Sequence, residues 1–289
     1  MGKSTLLNRF LGQKIAIVSP KPETTRDRLL GILTLAEAQL LFLDTPGIYQ
    51  GPKTSLAKRQ VQEAREALRG ADVLLLMTEA HIGLTDEDRQ IIRLLPKPSP
   101  PQRIPVFLAI NKVDRVKKEL ILPQIQEAGR LYSFREIFPI SATAGNNTRE
   151  LLQAISAALP EGPALYPADQ LTDKPVRTLA QELIREKALL LTHEEIPHAV
   201  AVLIEEWRPG KSARAAANPL YIRATIYMER DSQKGILIGK EGSLLKRIGE
   251  AARKEIEPLA GGPVFLDLWV KVAKNWRKDP VMLKRFGYG

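Results

Sequence analysis

The sequence predicts two domains, an α/β domain with a mostly parallel sheet followed by a smaller α+β domain. The first is indicated by apolar runs at residues 40–43 and 106–110 that each end in polar residues. Open α/β sheets bind their ligands at the carboxyl ends of such buried strands. The second is indicated by helical apolar spacing at 176–192, followed by strand-like segments and a basic helix.

Three prolines mark the boundary between the domains. Pro160, Pro163 and Pro167 follow a predicted amphipathic helix at 148–158, and proline cannot continue a helix. The chain has 289 residues, of which 44% are hydrophobic, so it can bury two cores. The prediction divides it into a first domain, a linker and a second domain: residues 1–160, 161–175 and 176–289.

The composition excludes several classes of protein and site. The sequence has no cysteine, which excludes disulfides and thiolate metal sites and indicates a reducing cytosol. Its three histidines are too few and too ill-spaced for a metal cluster. No apolar stretch reaches the roughly 18 residues of a membrane-spanning helix, and Met1 does not begin a signal peptide. We expect a cytoplasmic protein with at most peripheral contact with the inner face of the cell membrane.

Positive charge is concentrated near the C-terminus. The whole chain carries a net charge of +10, and the segment from Arg208 to Gly289 contains 17 Lys and Arg residues against 8 Asp and Glu residues, a net +9. Such a concentration indicates a polyanionic partner. Nucleic acid is the first candidate and an anionic membrane the second.

The first motif, at residues 1–5, is the closing half of the phosphate-binding pattern G-x-x-x-x-G-K-[ST]. In that pattern the lysine reaches the β- and γ-phosphates, the hydroxyl after it binds Mg²⁺, and backbone N–H groups hold the phosphate oxygens. On its own this short match is weak evidence, and the two motifs that follow it along the chain support the assignment. The predicted nucleotide contacts here are Gly2, Lys3, Ser4 and Thr5, with Ser4 also a magnesium ligand.

The second motif follows the apolar run at 40–43. Asp44 lies where a Walker-B-type carboxylate would hold the magnesium ion, and Gly47 can offer its backbone N–H to the γ-phosphate. Thr25 is the preferred candidate for a γ-phosphate-sensing magnesium ligand and Thr24 the alternative, although a Thr pair is by itself an ordinary loop or cap. The predicted nucleotide contacts of this motif are Asp44, Thr45, Pro46, Gly47 and Ile48.

Guanine specificity is indicated by the third motif, Asn111-Lys112-Val113-Asp114, which ends the run at 106–110. A carboxylate at Asp114 accepts from the N1–H and the amino group of guanine, whereas adenine would leave it unpaired. The motif therefore predicts GTP rather than ATP. The contacts predicted here are Asn111, Lys112 and Asp114, together with Ser141 and Ala142, whose backbone could touch the base.

The sequence does not identify a catalytic residue for hydrolysis. Ras-type enzymes place a water-orienting glutamine directly after the Asp-x-x-Gly stretch, and this chain has Ile48 there. Since an aliphatic side chain cannot align a water molecule, we expect unaided hydrolysis to be slow.

The second domain contains Gly239-Lys240-Glu241-Gly242, a G-x-x-G pattern between an apolar segment and a basic helix. In KH domains such a loop clamps the backbone of RNA, because its glycines let a nucleotide strand lie against the peptide. Glu241 is acidic and weakens the match slightly. The predicted RNA-binding residues are Gly239, Lys240, Glu241, Gly242, Lys246, Arg247 and Arg253.

These motifs resemble the Era family of ribosome-assembly GTPases, within the TrmE-Era-EngA group. The resemblance runs from the motif at 1–5 to the C-terminal residues 283–288, and it implies a P-loop G domain followed by a type II KH domain. It also implies Mg²⁺-dependent GTP hydrolysis, binding near the 3′ end of small-subunit ribosomal RNA, action in 30S subunit assembly, and peripheral membrane association. We expect a monomer with no DNA partner.

The chain departs from this family at its N-terminus. The resemblance implies a first strand and the residues Gly-Arg-Pro-Asn-Val before the Gly-Lys-Ser, with Met1 standing at the valine. We interpret Met1 as a start misassigned at a GTG valine codon, or as a truncation, rather than as a natural short form. The G domain is thus expected with its first strand missing.

Two alternatives compete with this interpretation. One is a non-hydrolysing RNA-binding assembly module whose G domain is degraded and serves as a scaffold. The other is an assembly GTPase with two G domains. No second pair of Asp-x-x-Gly and Asn-Lys-x-Asp motifs occurs in the sequence, which argues against the latter.

Overall fold

The computed structural model describes residues 1–19, 29–44, 70–96, 104–192, 199–210 and 219–287. Their contacts divide the chain into two compact units. The first unit contains described residues 1–16 and 29–173, with gaps, and the second contains 17–19 and 174–287, with gaps.

The first unit contains a hairpin, a three-stranded sheet and flanking helices. Strands β3, β4 and β5 form a parallel sheet in that order, and β1 and β2 pair antiparallel. The parallel sheet predicted for this domain is confirmed. The elements are α1 (Lys3–Leu11), β1 (Leu29–Thr34), β2 (Gln39–Asp44), β3 (Leu74–Glu79), α2 (Asp86–Leu94), β4 (Val106–Asn111), α3 (Ile121–Leu131), β5 (Glu136–Pro139) and α4 (Thr148–Ser156).

The core of the first unit lies against β4, whose six residues are all buried. A parallel strand covered on both faces requires such a continuous apolar run rather than an alternating one. Helix α1 packs Leu6 and Phe10, and helix α4 packs Leu151 and Ile155, into the cluster that also contains Phe107 of β4. The helices are thereby fixed relative to the strand ends that carry the predicted nucleotide motifs.

An open slot separates β2 from β3. The two strands belong to different sheets among the described residues, and between them lies a cavity of about 1160 Å³ lined by both strands and by α1. Their carboxyl ends lie at the same edge, because α1 begins between them: Ser4 contacts Asp44 and Met1 contacts Glu79. The slot therefore has the position and direction of one further parallel strand.

The second unit is an α+β domain with a three-stranded sheet in the order β6-β7-β8. Strands β6 and β7 pair antiparallel, and β7 and β8 pair parallel. Helices α5 and α7 bury their apolar residues against this sheet. The elements are α5 (Val176–Leu191), β6 (Ala201–Pro209), β7 (Leu220–Met228), α6 (Asp231–Ile238), α7 (Ser243–Ala260), β8 (Val264–Val272) and α8 (Pro280–Arg285).

The predicted linker packs against the first unit in its described contacts. Gln39 of β2 donates from Nε2 to the Tyr166 carbonyl at 2.9 Å, and the Ile32 N–H donates to the Leu171 carbonyl at 2.8 Å. The apolar segment expected before the G-x-x-G loop is the end of helix α6. Within the described part of the chain, no helix is long and apolar enough to cross a membrane.

Candidate functional site: a nucleotide site and an RNA-binding loop

The first turn of α1 has the form of a helix-start anion site. Gly2 precedes the helix with φ 92°, and no side chain caps the N-terminus of the helix. A Cβ at Gly2 would lie 2.6 Å from Nδ2 of Asn111, so only glycine fits here. The unpaired N–H groups of a helix start form an anion site, and Lys3 lies at its first position.

The two described candidate magnesium ligands lie together. The Ser4 hydroxyl donates to Oδ2 of Asp44 at 2.8 Å, and Asp44 is buried. The hydroxyl comes from the start of α1 and the carboxylate from the end of β2. Oxygen ligands at this separation suit a hard cation such as Mg²⁺, so the structure brings together two residues that lie 40 positions apart in the sequence.

Asn111 joins the phosphate motif to the base-recognition motif. Its side chain is buried, with Nδ2 donating to the Met1 carbonyl at 2.8 Å and Oδ1 accepting from the Ala142 N–H at 2.9 Å. The amide therefore orients the start of α1 and the loop after β5 together. The sequence predicted that Asn111 contacts the nucleotide. The structure adds that its side chain connects the start of α1 to the loop after β5.

Glu79, at the end of β3, holds Lys112 in place. The Lys112 ammonium lies 2.5 Å from Oε2 of Glu79, and the Met1 ammonium lies 2.6 Å from Oε1. Burial by itself would raise the pKa of Glu79, but the hydrogen bonds and charges of these two groups outweigh it and lower the pKa to about 2. Lys112 has a left-handed backbone with φ 64°, so the Glu79 contact helps to fix the turn that leads to Asp114.

We expect Glu79→Gln to destabilise the chain by about 1 kcal/mol at pH 7, or roughly 2 to 4 °C in Tm. A carboxylate with a lowered folded pKa stabilises above its unfolded pKa, and this contribution disappears as the pH falls toward the folded value. The difference between the wild type and the variant should therefore shrink between pH 4.5 and about 2. Thermal melts across that range test this, and a difference that does not vary with pH would contradict it.

Asp114 lies exposed at the rim of the site. A hydrogen bond with Ser141 is the main reason that the pKa of Asp114 lies below its ordinary value. The carboxylate is therefore ionised at neutral pH and acts only as an acceptor, as recognition of guanine N1–H and the amino group requires. Ser141 also accepts from the Ala144 N–H through its hydroxyl at 3.0 Å, so the loop after β5 is ordered around the predicted base position.

Sequence patterns missed two residues that support this site, Arg9 and Glu79. Arg9 of α1 donates from Nε to the Ala142 carbonyl at 2.5 Å and from its guanidinium to the Thr143 carbonyl. Both residues act through contacts between segments far apart in sequence, which no local motif reveals. The position of Glu79 at the end of a parallel strand could have indicated a role in the site.

Six predicted residues of the nucleotide site lie outside the described part of the chain. They are Thr25, Thr45, Pro46, Gly47 and Ile48, with the alternative Thr24.

The candidate RNA-binding loop connects α6 to α7. Gly239 has φ 74° and Gly242 has φ 78°, and Glu241 between them also has a positive φ of 53°. A Cβ at Gly239 would lie 2.8 Å from Cβ of Leu244, whereas one at Gly242 would meet nothing within 4 Å. Gly239 is thus required by the close approach of α7, and Gly242 leaves open space where a ligand backbone could approach.

Helix α7 presents basic residues on the side opposite its buried face. Ile248, Ala252 and Ile256 are buried in the core, whereas the predicted RNA contacts Lys246, Arg247 and Arg253 are exposed. Arg253 lies 3.9 Å from the Glu257 carboxylate, and both side chains reach solvent. Lys240 and Glu241 are exposed in the loop itself. The loop leads directly into α7, and the two together are the candidate RNA interface.

Comparison with known proteins agrees with the two predicted domains. Residues 1–112 match a family described as a 50S ribosome-binding GTPase, and residues 195–277 match the KH domain family. A crystal structure of Era in complex with MgGDPNP and nucleotides 1506–1542 of 16S ribosomal RNA is 45% identical, with a TM-score of 0.92. The similarity covers 100% of this chain and 95% of that one. The chain belongs to the Era family of GTPases.

A second structure of the family supports the same assignment. A Tyr-to-Ala variant of Aquifex aeolicus Era bound to GDP·AlF4⁻ is 44% identical, covers the same shares of both chains and has a TM-score of 0.92. The prediction of a G domain followed by a KH domain is therefore confirmed, and so is the resemblance to the Era family.

Proposed function

We propose that this chain is an Era-family GTPase that hydrolyses GTP with Mg²⁺, binds small-subunit ribosomal RNA near its 3′ end and acts in 30S subunit assembly. The observation that carries the proposal is the presence of both sites in one chain. The start of α1, Asp44 and Asp114 supply phosphate, metal and base recognition, and the loop at 239–242 supplies a clamp for RNA. The full-length similarity to an Era structure that contains MgGDPNP and 16S nucleotides supports this combination.

Magnesium fits the residues that would hold it. The Ser4 hydroxyl and the buried Asp44 carboxylate lie 2.8 Å apart, and both offer the oxygen ligands that hard cations prefer. When bound, the ion would neutralise charge on the phosphates. The chain's own part is to hold the phosphates at the start of α1 and to reject adenine at Asp114. Hydrolysis remains slow in this proposal, because Ile48 cannot align a water molecule.

We also propose that the protein is cytoplasmic and contacts the inner face of the cell membrane peripherally. The net charge of +10 supports this location, because basic segments are attracted to anionic lipids.

The RNA-binding part is tested by Gly242→Asp. This position has open space around it, so the new carboxylate should point toward the phosphates of a bound strand and repel them. We expect at least about a tenfold loss of affinity for an RNA with the sequence of 16S nucleotides 1506–1542, measured by filter binding.

Gly242→Asn is the matched control. Asn and Asp have nearly the same shape, and both tolerate the left-handed backbone of this position, so only the charge differs. The Gly242→Asn variant should therefore retain most of the RNA affinity that the Gly242→Asp variant loses. Gly239 is unsuitable for this test because any side chain there would collide with Leu244. Equal RNA affinity of the Asp variant and the wild type would place the clamp elsewhere.

A further inference from the structure

A second basic site lies in the KH unit at the opposite end of α6 from the G-x-x-G loop. A cavity of about 460 Å³ opens there, where the chain passes from β7 into α6 and from β8 into the turn that follows it. Its lining is polar and mostly charged, and none of these residues belongs to the motifs predicted from the sequence. The lining residues are Glu229, Arg230, Asp231, Lys274, Asn275, Arg277 and Lys278.

A buried tryptophan fixes the side of the cavity formed after β8. Trp276 is completely buried, and its Nε1 donates to the Ala199 carbonyl at 3.0 Å. Asn275 before it has a left-handed backbone with φ 54°, and the Lys278 N–H donates to the Asn275 carbonyl at 2.9 Å. This anchored turn leaves Lys274 and Lys278 exposed beside the same cavity.

The charge balance of the cavity favours an anion. Glu229 is neutralised by Arg277, whose Nη2 lies 2.5 Å from its Oε2. Arg230, Lys274 and Lys278 make no ion pair with any described residue. Three free cations therefore face one remaining carboxylate, that of Asp231. A concave site with this excess of positive charge attracts phosphate groups.

Two backbone donors that precede α6 are already paired within the chain. The N–H groups of Glu229 and Arg230 already donate to Oε1 of Gln233, at 3.2 and 3.0 Å. The side-chain cations reach the cavity from two separate segments of the chain.

Helix α6 connects this cavity to the G-x-x-G loop. It has eight residues, which corresponds to a length of about 12 Å. Between the two ends its exposed side carries Ser232, Gly235 and Ile236, with no carboxylate among them. Ile236 is 57% exposed, and a Cβ at Gly235 would meet nothing within 4 Å. A strand of RNA that leaves the loop therefore meets no like charge on the exposed side of α6 before Asp231 at the cavity.

We propose that the cavity lined by Arg230, Lys274 and Lys278 binds a backbone phosphate of the RNA strand that continues from the G-x-x-G loop along α6. The inference rests on the proposed RNA-binding function and adds a second phosphate site to it. A KH loop clamps about four nucleotides. The cavity extends the bound length beyond that clamp.

The test is the double variant Lys274→Gln/Lys278→Gln of the full chain, with two RNA probes. One probe has the sequence of 16S nucleotides 1506–1542, and the other is a fragment of about four nucleotides that fills only the clamp. We expect the variant to bind the long RNA roughly tenfold more weakly and the short fragment as the wild type does. The slope of log affinity against log salt for the long RNA should decrease by about 0.7, the contribution of one single-strand phosphate contact.

Arg130→Gln/Arg149→Gln is the matched control. Both arginines are exposed on helices of the first unit, and their replacement lowers the net charge by the same amount. An equal loss of affinity in this control would show that only overall charge matters and would overturn the inference. Unchanged affinity and salt slope in the lysine variant would also overturn it. If the wild type binds neither RNA, the proposed function itself fails.

A lipid phosphate is the other source of the same chemistry. Binding to phosphatidylglycerol vesicles distinguishes the two sources, and we expect the lysine variant to bind the vesicles as the arginine control does. If the variant loses vesicle binding and retains long-RNA binding, the cavity serves a lipid headgroup and the RNA assignment is wrong.

Discussion

An N-terminal extension that fills the slot between β2 and β3 is expected to increase GTP affinity by a factor on the order of 10² to 10⁴. The extension consists of a six-residue Val- and Ile-rich strand, then Gly and three residues directly before Met1, which completes G-x-x-x-x-G-K-S. The loop adds backbone donors, each worth roughly 1.5 to 3 kcal/mol to a charged acceptor, and two of them account for this factor. Without them, the 289-residue chain is expected to bind GTP weakly or not at all.

The strand is expected to contribute separately from the loop. It would pair with β2 and β3, fill a cavity of about 1160 Å³ and anchor the loop from behind, so Tm and GTP hydrolysis should rise together with affinity. An extension with the same loop and a Gly/Ser segment in place of the strand is the control, and it should gain much less. Calorimetry that finds equal GTP affinity for all three chains would contradict the prediction.

The second large effect is expected from Asp114→Asn, which should change the preferred nucleotide from GTP to XTP. An amide NH₂ can donate to the C2 carbonyl of xanthine, whereas it cannot accept both guanine donors. Two hydrogen bonds to a charged acceptor are lost, so GTP affinity should fall by roughly 10² to 10⁴. The lowered pKa of Asp114 means that the wild-type carboxylate is ionised throughout the neutral range, so the preference for GTP should not vary there.

Asp114→Ala separates base recognition from general damage to the site. It should lose GTP affinity without gaining XTP affinity, because a methyl group offers neither donor nor acceptor. Both variants are best measured in the chain that carries the N-terminal extension, where binding is strong enough to quantify. Wild-type GTP affinity in the Asn variant would show that another residue recognises the base.

The motifs at strand ends could be predicted because local chemistry dictates them. The run at 106–110 must be a buried strand, and the polar residues after it must lie at the ligand edge of the sheet. The G-x-x-G loop was equally visible, since positive φ at Gly239 and Gly242 is a local requirement. These short-range signals were enough to give the order of the motifs, the two domains and the family.

The supporting contacts could not be predicted, because they join segments distant in sequence. Arg9 reaches the Ala142 carbonyl across 133 positions, and Glu79 reaches Lys112 across 33. Arg9 lies in no pattern whose spacing signals a role, and the end of a parallel strand was the one signal that Glu79 offered. Their effect on the site depends on how α1 and the parallel strands pack, and packing is a property of the folded chain.

The sequence by itself determined which residues can recognise phosphate, guanine and RNA, because side-chain chemistry and glycine backbone freedom are local properties. Only the tertiary structure decided three further features. It placed Ser4 against Asp44, left a strand-sized slot between β2 and β3, and gathered Arg230, Lys274 and Lys278 around one cavity. Each of these depends on distances between separate segments, which are fixed when apolar surfaces pack into a common core.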